Sequence, residues 1–175
     1  RRDAILVPSG TGDPTLPADL AMGAGEAVVT ASLSRQLELA AGDMIEIFTQ
    51  AEDRPRQLRL ELSIIAVLDD ARAQGRSVLT QIDVLDLVEA FYDEYALPDY
   101  GIDAGRDLST RQPDFEGMRV FARDIESLAA LQSRLETRFD IRTEARTAEV
   151  SGVLSLGRNL NIALLLTASV ASLGL

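Results

Sequence analysis

Three groups of residues in this 175-residue chain carry side chains that chemistry can use. The first is Ser9-Gly10-Thr11-Gly12, which follows the apolar run Ala4-Ile5-Leu6-Val7 and offers hydroxyls and successive backbone N–H groups of the kind that cradle phosphate. A phosphate loop normally opens into a helix whose N-terminus faces the anion. Pro14 and Pro17 interrupt that continuation, so an ordinary loop is the expectation. The second group is Asp83, Asp86, Glu89 and Asp93, whose helical spacing would suit a cation site or an acid–base pair. The same spacing describes the solvated face of an amphipathic helix, and the alternating Asp/Asn with Gly of a calcium loop is missing, so a solvated face is expected. The third group, Asp99, Asp103 and Asp107, has the right atoms for a metal but no spacing that fixes a coordination geometry. A glycosidase-type carboxylate pair is defined by a three-dimensional separation, and the sequence marks out no pair.

Composition narrows the chemistry further. All 17 basic residues are Arg; the chain has no Lys, Cys or His. It therefore lacks a P-loop lysine, a Schiff-base lysine, a thiolate nucleophile, an imidazole base and the usual zinc ligands. No catalytic, cofactor-binding or metal-ligating residue is expected in it. A net charge of −11 and a pI near 4.4 exclude nucleic acid as a natural partner, because such binding rests on clustered basic residues neutralising phosphates. With 46% hydrophobic and 26% charged residues, the chain is globular and can bury a core.

The elements that must position these groups are legible from periodicity. Residues 4–7 read as a strand that breaks at Pro8. Residues 26–30 read as a strand and 31–39 as a short helix with Leu33, Leu37 and Leu39 toward the core. Gly42 stands where a helix C-terminus favours positive φ, and Gly42-Asp43 forms a structural turn before a strand over 44–48. The alternation Leu58, Leu60, Leu62 runs into the apolar block 64–68, which reads as a central strand. Residues 82–95 form an acidic amphipathic helix carrying Val84, Leu85, Leu87, Val88, Phe91, Tyr92 and Tyr95. Pro98, Gly101, Gly105 and Pro113 punctuate a long connection, so a boundary is expected near Glu116. Beyond it, a strand over 118–122, a helix capped by Asp124 with Ile125, Leu128, Leu131 and Leu135 on one face and closed by Phe139, and a strand over 141–145 make a β-α-β element over 118–146.

From Thr147 onward the pattern is helical, and every residue from 159 to 175 is uncharged. That run sits at the lower edge of the roughly 17 to 25 residues that span a bilayer. A continuous helix over 147–175 would measure roughly 43 Å at about 1.5 Å per residue, longer than the ~30 Å hydrocarbon core, so part of it would stand outside as a stalk. The stalk and transmembrane positions are Val150, Leu154, Gly157, Arg158, Asn161, Leu164 and Leu165. Because the chain starts at Arg1 rather than Met and stops inside this run, a piece of a larger membrane protein is expected.

The order Val28-Val29-Thr30, Leu33, Leu37-Glu38-Leu39, Gly42-Asp43, Ile45-Glu46-Ile47 and 62–68 resembles the extracytoplasmic domain of MacB/FtsX-like ABC transporter permeases. Residues 118–124 with Leu128, Leu131 and Leu135 are similar to that family's second porter element, and Arg158-Asn159-Leu160-Asn161 to its approach to the second membrane helix. Ala66 departs from the Gly that members often carry there. The resemblance implies an α+β fold: a porter-like part from 1–25 and 113–146, an inserted smaller mixed α/β subdomain over 26–112, and a stalk leading into the second transmembrane helix over 147–175. It also implies a domain on the periplasmic side of a bacterial inner membrane, working as a dimer with a second permease copy. ATP and Mg would be held by a partner ATPase subunit or domain, and the periplasmic partner would be an adaptor, a lipoprotein or a hydrolase. The competing expectation is a free-standing soluble binding or scaffold domain whose C-terminal helix is buried.

Overall fold

Apolar residues cluster in short blocks separated by Gly, Asp and Pro, and the blocks Ile5–Pro8 and Glu26–Thr30 find hydrogen-bonding partners far away in the chain. The computed structural model of the protein describes residues 3–51, 56–112, 117–140 and 142–143. Its elements are β1 (Ile5–Pro8), β2 (Glu26–Thr30), α1 (Ala31–Leu37), β3 (Met44–Phe48), β4 (Arg59–Leu68), β5 (Ser77–Thr80), α2 (Ile82–Tyr92) and α3 (Ile125–Phe139). The five strands form one mixed sheet in the order β1-β5-β2-β4-β3. β1 runs parallel to β5 and β2 parallel to β4, while β2–β5 and β3–β4 are antiparallel. The architecture is mixed α+β.

The expected leucine alternation and apolar block are one ten-residue strand, β4, with a change of phase inside it. Ala27 pairs with Ile64 but Val28 pairs with Ala66, so Ile65 is the extra residue of a bulge. A bulge moves the following side chains to the opposite face. Leu62 and Ile64 accordingly pack with Ala27, Val29, Val78 and Leu33 on one side, whereas Leu68 packs with Val28, Leu79, Leu16 and Met22 on the other. Helices α1 and α2 cover the first face through Leu33 and Val84; the loop carrying Leu16, Leu20 and Met22 covers the second. A third cluster joins Leu58 and Leu60 to Ala90, Phe91, Tyr95, Leu97 and Ile102.

Strand β5 has no counterpart in the sequence reading. Its four residues are too few to display a period, yet all four are buried between β1 and β2. The buried hydroxyls around it are satisfied: Thr30 Oγ1 donates to Gly75 O at 2.7 Å and Thr80 Oγ1 to Glu26 O at 2.9 Å. Helix α1 ends at Leu37, two residues earlier than its periodicity predicts, because Glu38 adopts φ 56° and Leu39 N–H turns back to Ser34 O at 3.0 Å. The helix stop is thus Glu38 rather than Gly42. Gly42 does take a positive φ, 97°, but in the separate turn that follows.

The chain divides into two units, Arg1–Glu116 and Gly117–Leu175. The ladder between β1 and β5 places the expected division at residues 25 and 26 inside one sheet. In the second unit α3 forms as its pattern predicts, with a capping box in which Ser127 N–H donates to Asp124 Oδ1 at 2.7 Å. Residues 118–122 do not form the expected strand, and Met118 stands 76% exposed. A strand is defined by its ladder, and alternation supplies only the face. Arg142 and Thr143 are also irregular, while the rest of the strand expected over 141–145 and the stalk helix expected over 147–175 lie outside the described residues.

Candidate functional site

The loop after β1 is closed by its own carboxylate. Ser9 Oγ donates to Asp13 Oδ2 at 2.6 Å, and Thr15 donates to Asp13 Oδ1 through its N–H at 2.9 Å and its hydroxyl at 2.6 Å. Of the donors that would cradle a phosphate, the Ser9 hydroxyl is turned to a negative charge already present, and Asp13 with Thr15 forms an Asx-type turn.

The acidic helix face is where the structure departs most from the sequence reading. Asp86, Glu89 and Asp93 are not a simple solvated face: they converge on Arg111. Arg111 Nη1 donates to Asp86 Oδ1, Nη2 stands 3.6 Å from Glu89 Oε2, and Nε stands 3.7 Å from Asp93 Oδ2. The Arg111 side chain is 5% exposed, against 41% for Asp86, 32% for Glu89 and 51% for Asp93. Nε and Nη2 are buried and have no hydrogen-bond acceptor among the described residues, so those two contacts act through charge. Burial works against the Arg111 cation, but the hydrogen bond to Asp86 and the charges of Asp86, Asp93 and Glu89 outweigh it and raise its pKa. Asp83 stands on the same helix at its first turn, where a negative charge is favourable against the helix dipole.

Two local devices bring Arg111 to this position. After α2, Glu94 takes φ 62° and Tyr95 N–H returns to Ala90 O at 3.0 Å, which turns the chain back. The returning arm is pinned by Ala96 N–H to Arg106 O and Arg106 N–H to Glu94 O, both 2.8 Å. The Arg106 guanidinium lies 4.3 Å over the Tyr95 ring and donates to Asp93 O. This crossing requires Gly105: at φ 143°, an added Cβ would sit 2.5 Å from Glu94 O. The second device is a single 3₁₀ turn over Leu108–Thr110, capped by Asp107, which accepts Ser109 N–H at 2.9 Å. The backbone hydrogen bond from Ser109 leads the contacts that hold the Asp107 carboxyl below its ordinary value. Asp99, by contrast, lies in a separate 3₁₀ turn over Pro98–Tyr100. Among the described residues no group of three or more Asp, Glu, His or Cys is placed to hold a metal.

A pocket of about 400 Å³ lies between α2 and this arm, lined by Asp83, Asp86, Leu87, Ala90, Tyr100, Leu108 and Arg111. Its polar groups are carboxylates, one guanidinium and a phenol, which suit ionic recognition. A second, more apolar cleft of about 540 Å³ opens on the helix-bearing face among Leu6, Leu33, Leu37, Met44, Phe48 and Tyr92.

Of the residues singled out in sequence, Gly42 and Asp43 lie in a tight turn against β4. Gly42 N–H donates to Ile64 O at 2.7 Å, Ile64 N–H to Asp43 O at 2.8 Å, and Ala40 N–H to Asp43 Oδ2 at 2.7 Å. Val150, Leu154, Gly157, Arg158, Asn161, Leu164 and Leu165 lie outside the described residues. Arg111 was not signalled in sequence, since its partners are 18 to 25 positions upstream and nothing local pairs them. Among the described residues no helix is long and apolar enough to cross a membrane. Comparison with protein-family models, curated proteins and solved structures finds no match to this chain.

Proposed function

We propose that the chain is the extracytoplasmic domain of a MacB/FtsX-like ABC transporter permease, a non-catalytic module that passes ATP-driven movement of membrane helices to the periplasm. The observation that carries this reading is the uncharged run over 159–175, which follows a water-compatible acidic head. The β2-α1-turn-β3-β4 order over residues 26–68 supports it, because those are the residues in which the family resemblance lies. In this reading the head has a porter-like fold, and a helix over 147–175 is the lever that roots it in the inner membrane. A second permease copy, an ATPase that holds ATP and Mg, and a periplasmic adaptor, lipoprotein or hydrolase are its partners. The side chains gathered around Arg111 offer such a module charge and shape.

Membrane partitioning tests the proposal. The chain expressed in bacteria should stay in the membrane fraction after carbonate washing, and a version ending at Arg158 should be released. Recovery of both in the soluble fraction would sink the reading in favour of a free-standing binding or scaffold domain.

A further inference from the structure

We propose that Arg111 is a latch fixing the strap 107–112 to the acidic face of α2. The strap's backbone bonds close within it: Thr110 N–H donates to Asp107 O at 3.0 Å and Arg111 N–H to Leu108 O at 3.1 Å. These bonds lie within the strap and shape it. The Arg111 side chain ties the strap to α2, almost wholly buried between Asp86, Glu89 and Asp93. Two of its nitrogens face carboxylates at 3.6 and 3.7 Å without a hydrogen bond, so attraction from three sides holds the cation more than any one contact does. The three carboxylates repel one another without it, which makes the strap and the charge balance of α2 a single arrangement.

The consequence is directional. Arg111 stands five residues before the end of the first unit, so a pull that reaches Arg111 along the chain is met by the latch. Load then spreads along α2 from Asp86 to Asp93, and through Ala90 and Phe91 into the core. This mechanical role rests on the transmission reading above; the latch itself does not.

Trypsin cuts after arginine and so reads the latch directly on the full chain. Cleavage after Arg111 should be slow in the native protein. It should accelerate at least tenfold in Asp86→Ala, and further in Asp86→Ala/Glu89→Gln/Asp93→Asn, with cleavage after Arg59 in β4 unchanged in the single variant. An unchanged rate after Arg111 in both variants overturns the latch. So does an equal rise at Arg59 in Asp86→Ala, which would show that the carboxylates hold the whole unit rather than the strap. If the strap is released but ATP hydrolysis and periplasmic output stay coupled in the membrane-bound permease, the mechanical role fails while the latch stands.

Discussion

Helices α2 and α3 are both amphipathic, yet they are held in opposite ways. α2 begins at Gln81, whose side chain makes no cap and instead donates to Met22 O at 2.7 Å. It is secured by burying Ala90 and Phe91 and by a cation supplied from outside the helix. α3 carries its own start signal, Asp124 and Ser127 in a reciprocal box, and Arg138 in its last turn, where a cation suits the dipole. The boundary of α3 is therefore written next to the helix, whereas the stability of α2 depends on residues brought to it by the fold.

That contrast can be broken from the α2 side first. Phe91→Ala removes a side chain with no exposure from the cluster that joins α2 to β4, and should lower stability by about 3–5 kcal/mol, read as a fall in the urea midpoint of the first unit. Arg111→Gln should cost less, about 1–2 kcal/mol. It lies between the ~0.2–1 kcal/mol of exposed pairs and the ~3–5 kcal/mol of breaking a buried one, because the guanidinium is buried but its carboxylates are not. A loss as large as that of Phe91→Ala would show that charge rather than packing dominates α2.

The smallest effect belongs to α3 and sharpens the comparison through pH. The side-chain and backbone hydrogen bonds from Ser127 hold the Asp124 carboxyl below its ordinary value of 3.8. A depressed folded pKa means that the cap's contribution is complete above that ordinary value and is lost as pH falls through the folded one. The Ser127 amide signal in NMR should shift in this acid range, and Asp124→Ala should abolish that titration and fray the first turn. Neither change should alter the signals of α2.

The same division explains what was legible in the sequence. Strands β2 and β3 and the start of α2 and α3 follow from local patterns, and β4 is read as two pieces because its bulge at Ile65 shifts the alternation. β5 is not legible: its four residues become a strand by lying between β1 and β2, a fact recorded in the pairing rather than in the segment. Residues 118–122 show the converse, alternation without a ladder. The ends of α1 and α2 differ from their periodicity for another reason, whereas α3 stops at Phe139 as expected. Glu38, Glu94 and Asp140 take φ of 56°, 62° and 52° where glycine is the usual signal, and an acidic residue gives no warning of it. The acidic groups were visible as a helix face, but Arg111 was invisible because the turn at Glu94 and the crossing at Gly105 bring it there.

The position of β5 also sets the order in which the first unit can be assembled. Ile5 is translated well before Ser77, its neighbour in the sheet, and β2 likewise lacks its β5 neighbour until then. β2, α1, β3 and β4 are closer in sequence and can associate beforehand, leaving β5 to slot in last and seal the first strand to the rest. Such late, long-range closure places folding toward the slower end for a domain of this size. Until it happens, the nascent unit exposes open strand edges to other chains.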